Sequence, residues 1–135
     1  MENHNIAIVG LGRVGSVFLE KVAGADSVLN VKYVCELADT EGKKFAYENG
    51  VPVGSIDEII QLGVGIDVIF DFTGVKKVAD ILNAKLAESG NNYTQIAQTR
   101  LARLVWSLIG GDDYLPEVHA TKYQSYADML LSQQE

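Results

Sequence analysis

Short apolar runs alternate with amphipathic stretches along most of this chain, the pattern of repeated strand–helix units. Residues 5–9 form the first apolar run and predict a strand. A helix from 13 to about 23 follows, with Val14, Val17, Phe18 and Val22 on one face. The run 28–36 is rich in valine, as a buried parallel strand should be. The pattern then predicts a helix over 40–49, closed by Gly50, and a short third strand at 51–53. Ser55 and Glu58 have the spacing of a capping box for a brief helix, 56–62. A fourth strand covers 67–72, and a helix from about 76 to 89 turns Val78, Ala79, Leu82 and Leu86 inward. A fifth strand, 92–97, leads to a helix over 100–109 whose stripe is Leu101, Leu104, Val105 and Leu108. Trp106 falls off that stripe and reads as a contact surface.

Repeated βα units imply one α/β domain, residues 1–110, with a doubly wound, Rossmann-like parallel sheet covered on both faces. The remainder, 111–135, differs in composition. Gly110-Gly111-Asp112-Asp113 opens a polar loop through Lys122. Helical spacing then resumes over 123–134, with Tyr123, Tyr126, Ala127, Leu130 and Leu131 on one side. This C-terminal amphipathic helix either packs on the sheet or meets a partner, as a homodimerisation or linker element.

The chemistry concentrates in Gly10-Leu11-Gly12-Arg13-Val14-Gly15, between the first strand and the first helix. A GxGxxG string alone is weak, but a preceding strand, a following helix and a downstream acid make it a dinucleotide-binding pattern. Gly10 allows the sharp turn, Gly12 a close backbone approach to a pyrophosphate, and Gly15 tight helix–sheet packing. The helix beginning near Arg13 and Val14 points its free N–H groups at the phosphates, and Arg13 adds a charge-assisted contact. Glu36, about 20 residues past the last glycine, stands where a carboxylate accepts from an adenosine ribose. That acid would repel a 2′-phosphate. No arginine adjoins it, and the nearest downstream cations are Lys43 and Lys44, so NAD is favoured over NADP. Thr73 and Gly74 follow the fourth strand and border the same crevice, Thr73 as a ribose or phosphate donor and Gly74 permitting close approach. A plain cap and turn for the next helix is the equal alternative.

The 135 residues carry a formal charge of −7, which argues against nucleic-acid or anionic-membrane partners. A dinucleotide remains compatible, because its phosphates meet backbone dipoles rather than a global field. Cys35 is the single cysteine, so no internal disulfide forms and a cytoplasmic setting is expected, the thiol serving as packing. No apolar run is long enough to span a membrane and no signal peptide is legible.

The glycine loop, Glu36 and Ile66-Asp67-Val68-Ile69-Phe70-Asp71-Phe72-Thr73-Gly74 together resemble the nucleotide domain of the glucose–fructose oxidoreductase/inositol dehydrogenase-like enzymes. Homoserine and aspartate dehydrogenases and dihydrodipicolinate reductase are neighbours of that group. The similarity covers about residues 5–97, and only its short motifs are specific. It implies that Gly10, Gly12, Arg13, Val14 and Gly15 surround the pyrophosphate, Glu36 holds the ribose, and Thr73-Gly74 lie near the cofactor's middle. The glycine string is also similar to nucleotide-sensing domains that regulate potassium channels and transporters. Two departures stand out. Where the oxidoreductase group often carries Glu-Lys-Pro after strand five, this chain has Gln98-Thr99-Arg100, and a guanidinium is no proton donor at neutral pH. Nothing like the group's large C-terminal substrate domain follows.

A search for catalytic residues agrees. His4 precedes the first strand, at the end opposite the crevice, and His119 lies in the tail loop. Asp112, Asp113 and Glu117 read as solvated loop acids rather than a metal site, and Asp71 as a structural acceptor. The expectation is an NAD(H)-binding module for binding, sensing or regulation, with no catalytic residue or metal ligand assigned. The alternatives are an oxidoreductase subunit whose partner chain supplies the substrate site, and a regulatory domain binding another adenine nucleotide or coenzyme A.

Overall fold

In the computed structural model the described residues are 2–24 and 27–109. Four strands, β1 (His4–Val9), β2 (Leu29–Cys35), β3 (Val68–Asp71) and β4 (Gln95–Ala97), form one all-parallel sheet in the order β2-β1-β3-β4. Between them run α1 (Arg13–Val22), α2 (Glu41–Glu48), α3 (Ile56–Gln61) and α4 (Lys76–Glu88), and α5 (Thr99–Ile109) follows β4. The order places β1 centrally, with the chain winding outward first to β2 and then back to β3. That reversal opens a crevice at the carboxyl edge beside β1.

Alternation within each strand sends side chains to two cores. Ile6, Ile8, Val34 and Phe70 face one side, where α1 and α5 supply Val14, Phe18, Leu19, Ala102 and Trp106. Ala7, Val9, Cys35 and Ile69 face the other, covered by Ile56 and Ile59 of α3 and Val78, Ile81 and Leu82 of α4. Helices on both faces make the sheet doubly wound, as the strand–helix pattern implies. Cys35 is buried as a packing residue. The four inward residues expected on α4 are all buried, and α1 departs only in Val17, which is exposed.

Local signals act as written in the sequence. Thr40 caps α2 by accepting from the Lys43 N–H at 3.1 Å. Ser55 and Glu58 complete a reciprocal capping box on α3. Gly50 ends α2's turn with φ +70°.

Two expectations are corrected. The strand expected at 51–53 shrinks to a single bridge, Val53 beside Val34. Pro52 has no N–H to extend the ladder, so pairing is confined to Val34 N–H on Pro52 C=O (2.9 Å) and Gly54 N–H on Val34 C=O (3.0 Å). The second correction concerns α5. Leu101, Leu104 and Leu108 of the expected inward stripe are exposed, and only Val105 packs partly against the core. Ala102 and Trp106 are buried instead. The Trp106 ring meets Phe18 with centroids 6.2 Å apart, so it belongs to the core rather than to a contact surface. The helix expected over 123–134 and the tail residues Asp112, Asp113, Glu117 and His119 lie outside the described residues. His4 opens β1 at the amino edge of the sheet, remote from the crevice, with Glu2 3.9 Å away.

Candidate functional site

Strand register sets the site. Val9 pairs with Cys35 on one side and Asp71 on the other, so β1, β2 and β3 end level. The residues that follow, Gly10, Glu36 and Phe72-Thr73, therefore meet at one edge.

Gly10 turns out of β1 with φ +95°, a conformation that L side chains rarely adopt. A Cβ there would also press on the Thr73 backbone nitrogen and methyl group, each 3.2 Å away. Gly15 is closed to any side chain. Its Cβ would overlap the Gly10 carbonyl oxygen and come within 2.9 Å of the carbonyl carbon. Gly12 is different: its φ is −75°, and a Cβ would meet no heavy atom of the described protein within 4 Å. Packing among the described residues does not demand a glycine at that position.

Gly12 is also the N-cap of α1. It offers no side-chain cap, and the first turn has no acidic residue. The first N–H groups of a helix have no intrahelical acceptor, so this end presents donors and a positive dipole to the crevice. Val14 turns its side chain into the core and can offer only backbone, whereas Arg13 is exposed. Gly12, Arg13, Ser16, Thr40 and Glu41 are among the residues lining a shallow cavity of about 390 Å³ between α1 and the start of α2.

Glu36 is buried, and its carboxylate binds the loop itself. One oxygen accepts from the Leu11 N–H at 2.8 Å and the other from the Ala38 N–H at 2.9 Å. The acid thus ties the end of β2 to the second residue of the glycine string. Each carboxylate oxygen has a further lone pair, so this use leaves acceptor capacity for a ligand. The loop-holding role was not legible from spacing alone.

Thr73 lies against Gly10, as the crevice argument required, but its polar atoms are turned inward. Its N–H and hydroxyl both donate to one Asp71 oxygen, at 2.9 and 2.7 Å, and the hydroxyl accepts from the Val75 N–H at 3.2 Å. The geometry is that of a turn leading into α4. Gly74, with φ +71°, completes that turn. Asp71 is the structural acceptor expected of it.

Burial pushes the Asp71 carboxyl above its ordinary range, against the two bonds from Thr73 that favour its charged form. The folded-state pKa therefore exceeds the unfolded value. Asp71's contribution is fully present below the unfolded pKa and is lost as pH rises through the raised folded one. Asp71→Asn keeps an acceptor for Thr73 without the buried charge. At pH 7 its melting temperature is expected to match or exceed the wild type by about 2–5 °C. The difference should shrink toward pH 4. A lower melting temperature at pH 7 would show that the charge itself stabilises the turn.

A second cavity, about 480 Å³, opens between the starts of α4 and α5 and is lined in part by Asp71, Gly74, Lys76, Gln98 and Arg100. Lys76 is engaged by Asp80 at 3.0 Å. Among the described residues, no group of three or more His, Cys, Asp or Glu is placed to hold a metal ion. No described helix is long and apolar enough to cross a membrane. Scanned against protein-family models the chain matches none, and no curated protein is significantly similar to it.

Proposed function

We propose that this chain is a dinucleotide-binding module that takes NAD(H) at the glycine loop and serves binding, sensing or regulation. The observation that carries this reading is Gly12. A glycine that packing among the described residues does not require, at a helix N-terminus without a side-chain cap, is accounted for by a ligand backbone that must come close. In this reading Gly10, Gly12, Arg13, Val14 and Gly15 wrap the pyrophosphate, chiefly through backbone N–H groups. Glu36, held in place by Leu11 and Ala38, offers its remaining lone pairs to the ribose hydroxyls. Gly74 borders the middle of the cofactor, with Thr73 shaping the turn beneath it.

NAD is preferred over NADP because Glu36 opposes a 2′-phosphate and the nearby cations face carboxylates of their own. Lys43 stands 3.9 Å from Asp39, and Lys44 stands 4.0 Å from Glu48. Titration calorimetry with NAD, NADH and NADPH tests the reading. Binding of the first two with weaker NADPH is expected, and no binding at millimolar cofactor would overturn it.

Glu36→Ala is expected to act twice. It removes the acceptor of the buried Leu11 N–H, an effect of about 1–3 kcal/mol on stability, and it weakens NAD. A lowered melting temperature with unchanged NAD affinity would leave Glu36 as a loop anchor only.

A second reading, an oxidoreductase subunit completed by a partner chain, draws on the cavity beside Asp71 and Arg100. It would sit next to a cofactor in the crevice and has room for a small substrate. It predicts a change at the nicotinamide absorbance band only when a co-purifying partner is present.

A further inference from the structure

The cavity between the starts of α4 and α5 holds two side chains whose polar groups the fold does not use in full. Asp71 ends β3 and is only 3% exposed. One of its carboxylate oxygens takes both bonds from Thr73, N–H and hydroxyl. The other accepts no hydrogen bond from any described residue. It is not sealed in the core either, since no enclosed side-chain oxygen or nitrogen among the described residues lacks a partner. That oxygen therefore opens into the cavity of about 480 Å³ that Asp71 lines. A buried carboxylate oxygen without a donor is costly, and a ligand donor entering the cavity satisfies it.

Arg100 lines the same cavity from the first turn of α5. It is exposed and forms no ion pair with a described residue. Lys76 and Asp80, which also line the cavity, occupy each other at 3.0 Å. An open acceptor and an open guanidinium remain. In a chain with a formal charge of −7 a small anion needs such a local cation, and a guanidinium fork matches a carboxylate bidentately.

The geometry points to a binding site for a small 2-hydroxy carboxylate, with its carboxylate on Arg100 and its hydroxyl donating to the open oxygen of Asp71. A hydroxyl is favoured over an ammonium, which would bring a third positive charge beside Lys76 and Arg100 while Asp80 is already engaged. It is favoured over a carbonyl, which has no proton to offer an acceptor. The volume lies in the range of small-molecule sites. Gly74 borders both this cavity and the proposed cofactor path, so the bound acid would lie beside the dinucleotide. This ligand chemistry rests on the second reading above only in filling the cavity at all.

The test is a ligand-observed NMR titration of the full chain with lactate, pyruvate and alanine, without cofactor or partner. Lactate is expected to bind in the millimolar range, about fivefold tighter than either analogue. Arg100→Gln, at an exposed position, is expected to weaken lactate about tenfold with the melting temperature unchanged. Asp71→Asn tests specificity. Thr73 holds the amide oxygen, so the amide nitrogen faces the cavity and an acceptor becomes a donor. The preference should reverse, with pyruvate binding more tightly than lactate, whereas a purely structural Asp71 would leave it as it was. No lactate binding by the wild type, tighter binding of alanine, unchanged affinity in Arg100→Gln, or an unreversed preference in Asp71→Asn would each overturn the site. The titration contains neither cofactor nor partner, so such a failure leaves the cofactor reading and the partner-dependent reading to their own tests.

Discussion

Gly15→Ala should destabilise the protein by about 3 kcal/mol and lower its melting temperature by about 10 °C. The sign is the informative part. Glycine to alanine inside a helix ordinarily stabilises by about 0.5–1 kcal/mol, because the unfolded chain loses freedom. Gly15 lies inside α1, yet its Cβ would overlap the Gly10 carbonyl oxygen and sit 3.6 Å from the Phe72 Cβ. The obstacle is backbone in a turn already fixed at φ +95°, with Gly10 N–H on Cys35 C=O at 2.8 Å and Leu11 N–H on Glu36. Nothing flexible can move aside, so α1 must lift from the sheet. That would loosen Phe18, whose ring lies tilted against those of Phe70 and Phe72 with centroids 4.8 and 4.9 Å away. Thermal or urea unfolding measures the effect. A variant as stable as the wild type would mean that the loop relaxes freely and does not pin the helix.

The elements were legible because periodicity and local chemistry agreed at nearly every step. Apolar runs located all four ladder strands, and Thr40, Gly50 and the Ser55–Glu58 pair marked helix ends that the structure places within a residue or two. The face of α5 was not legible, for a physical reason. Both of its faces carry large apolar residues at helical spacing, and periodicity identifies a helix without choosing between two such stripes. The sheet chose the side with Ala102, which lets the helix come close, and Trp106, which fills the space beside Phe18. Three leucines outvote that pair in a simple count and were left outside.

At the site, spacing brought Glu36 to the crevice but could not show where its oxygens point. Their attachment to Leu11 and Ala38 depends on the bend of the chain after Cys35. The inward turn of Thr73 did have a signal. Asp71-Phe72-Thr73 places an aspartate two residues before a threonine at a strand end, a sequence that favours a side-chain-closed turn over a ligand-facing hydroxyl.

Gly12→Ala is the complementary experiment and separates ligand from fold. No heavy atom of the described protein lies within 4 Å of its Cβ, so the substitution meets no steric obstacle among the described residues. Alanine is a poorer N-cap than glycine, so a loss of about 0.5 kcal/mol is expected and little more. Binding should respond very differently. A methyl group at the mouth of α1 would occupy the space in which a pyrophosphate approaches the N–H donors, and charge-assisted bonds weaken steeply with distance. An affinity loss of at least about 100-fold, or about 2.7 kcal/mol, is expected for NAD in calorimetry. The pairing of the two variants gives the result its force. Gly15→Ala damages the fold and any binding together, whereas Gly12→Ala leaves the melting curve nearly in place and removes binding selectively. If Gly12→Ala binds NAD as the wild type does, the open space at the helix mouth is not where the phosphates sit. The glycine string would then be a tight strand–helix turn whose dinucleotide spacing has no bearing on a ligand.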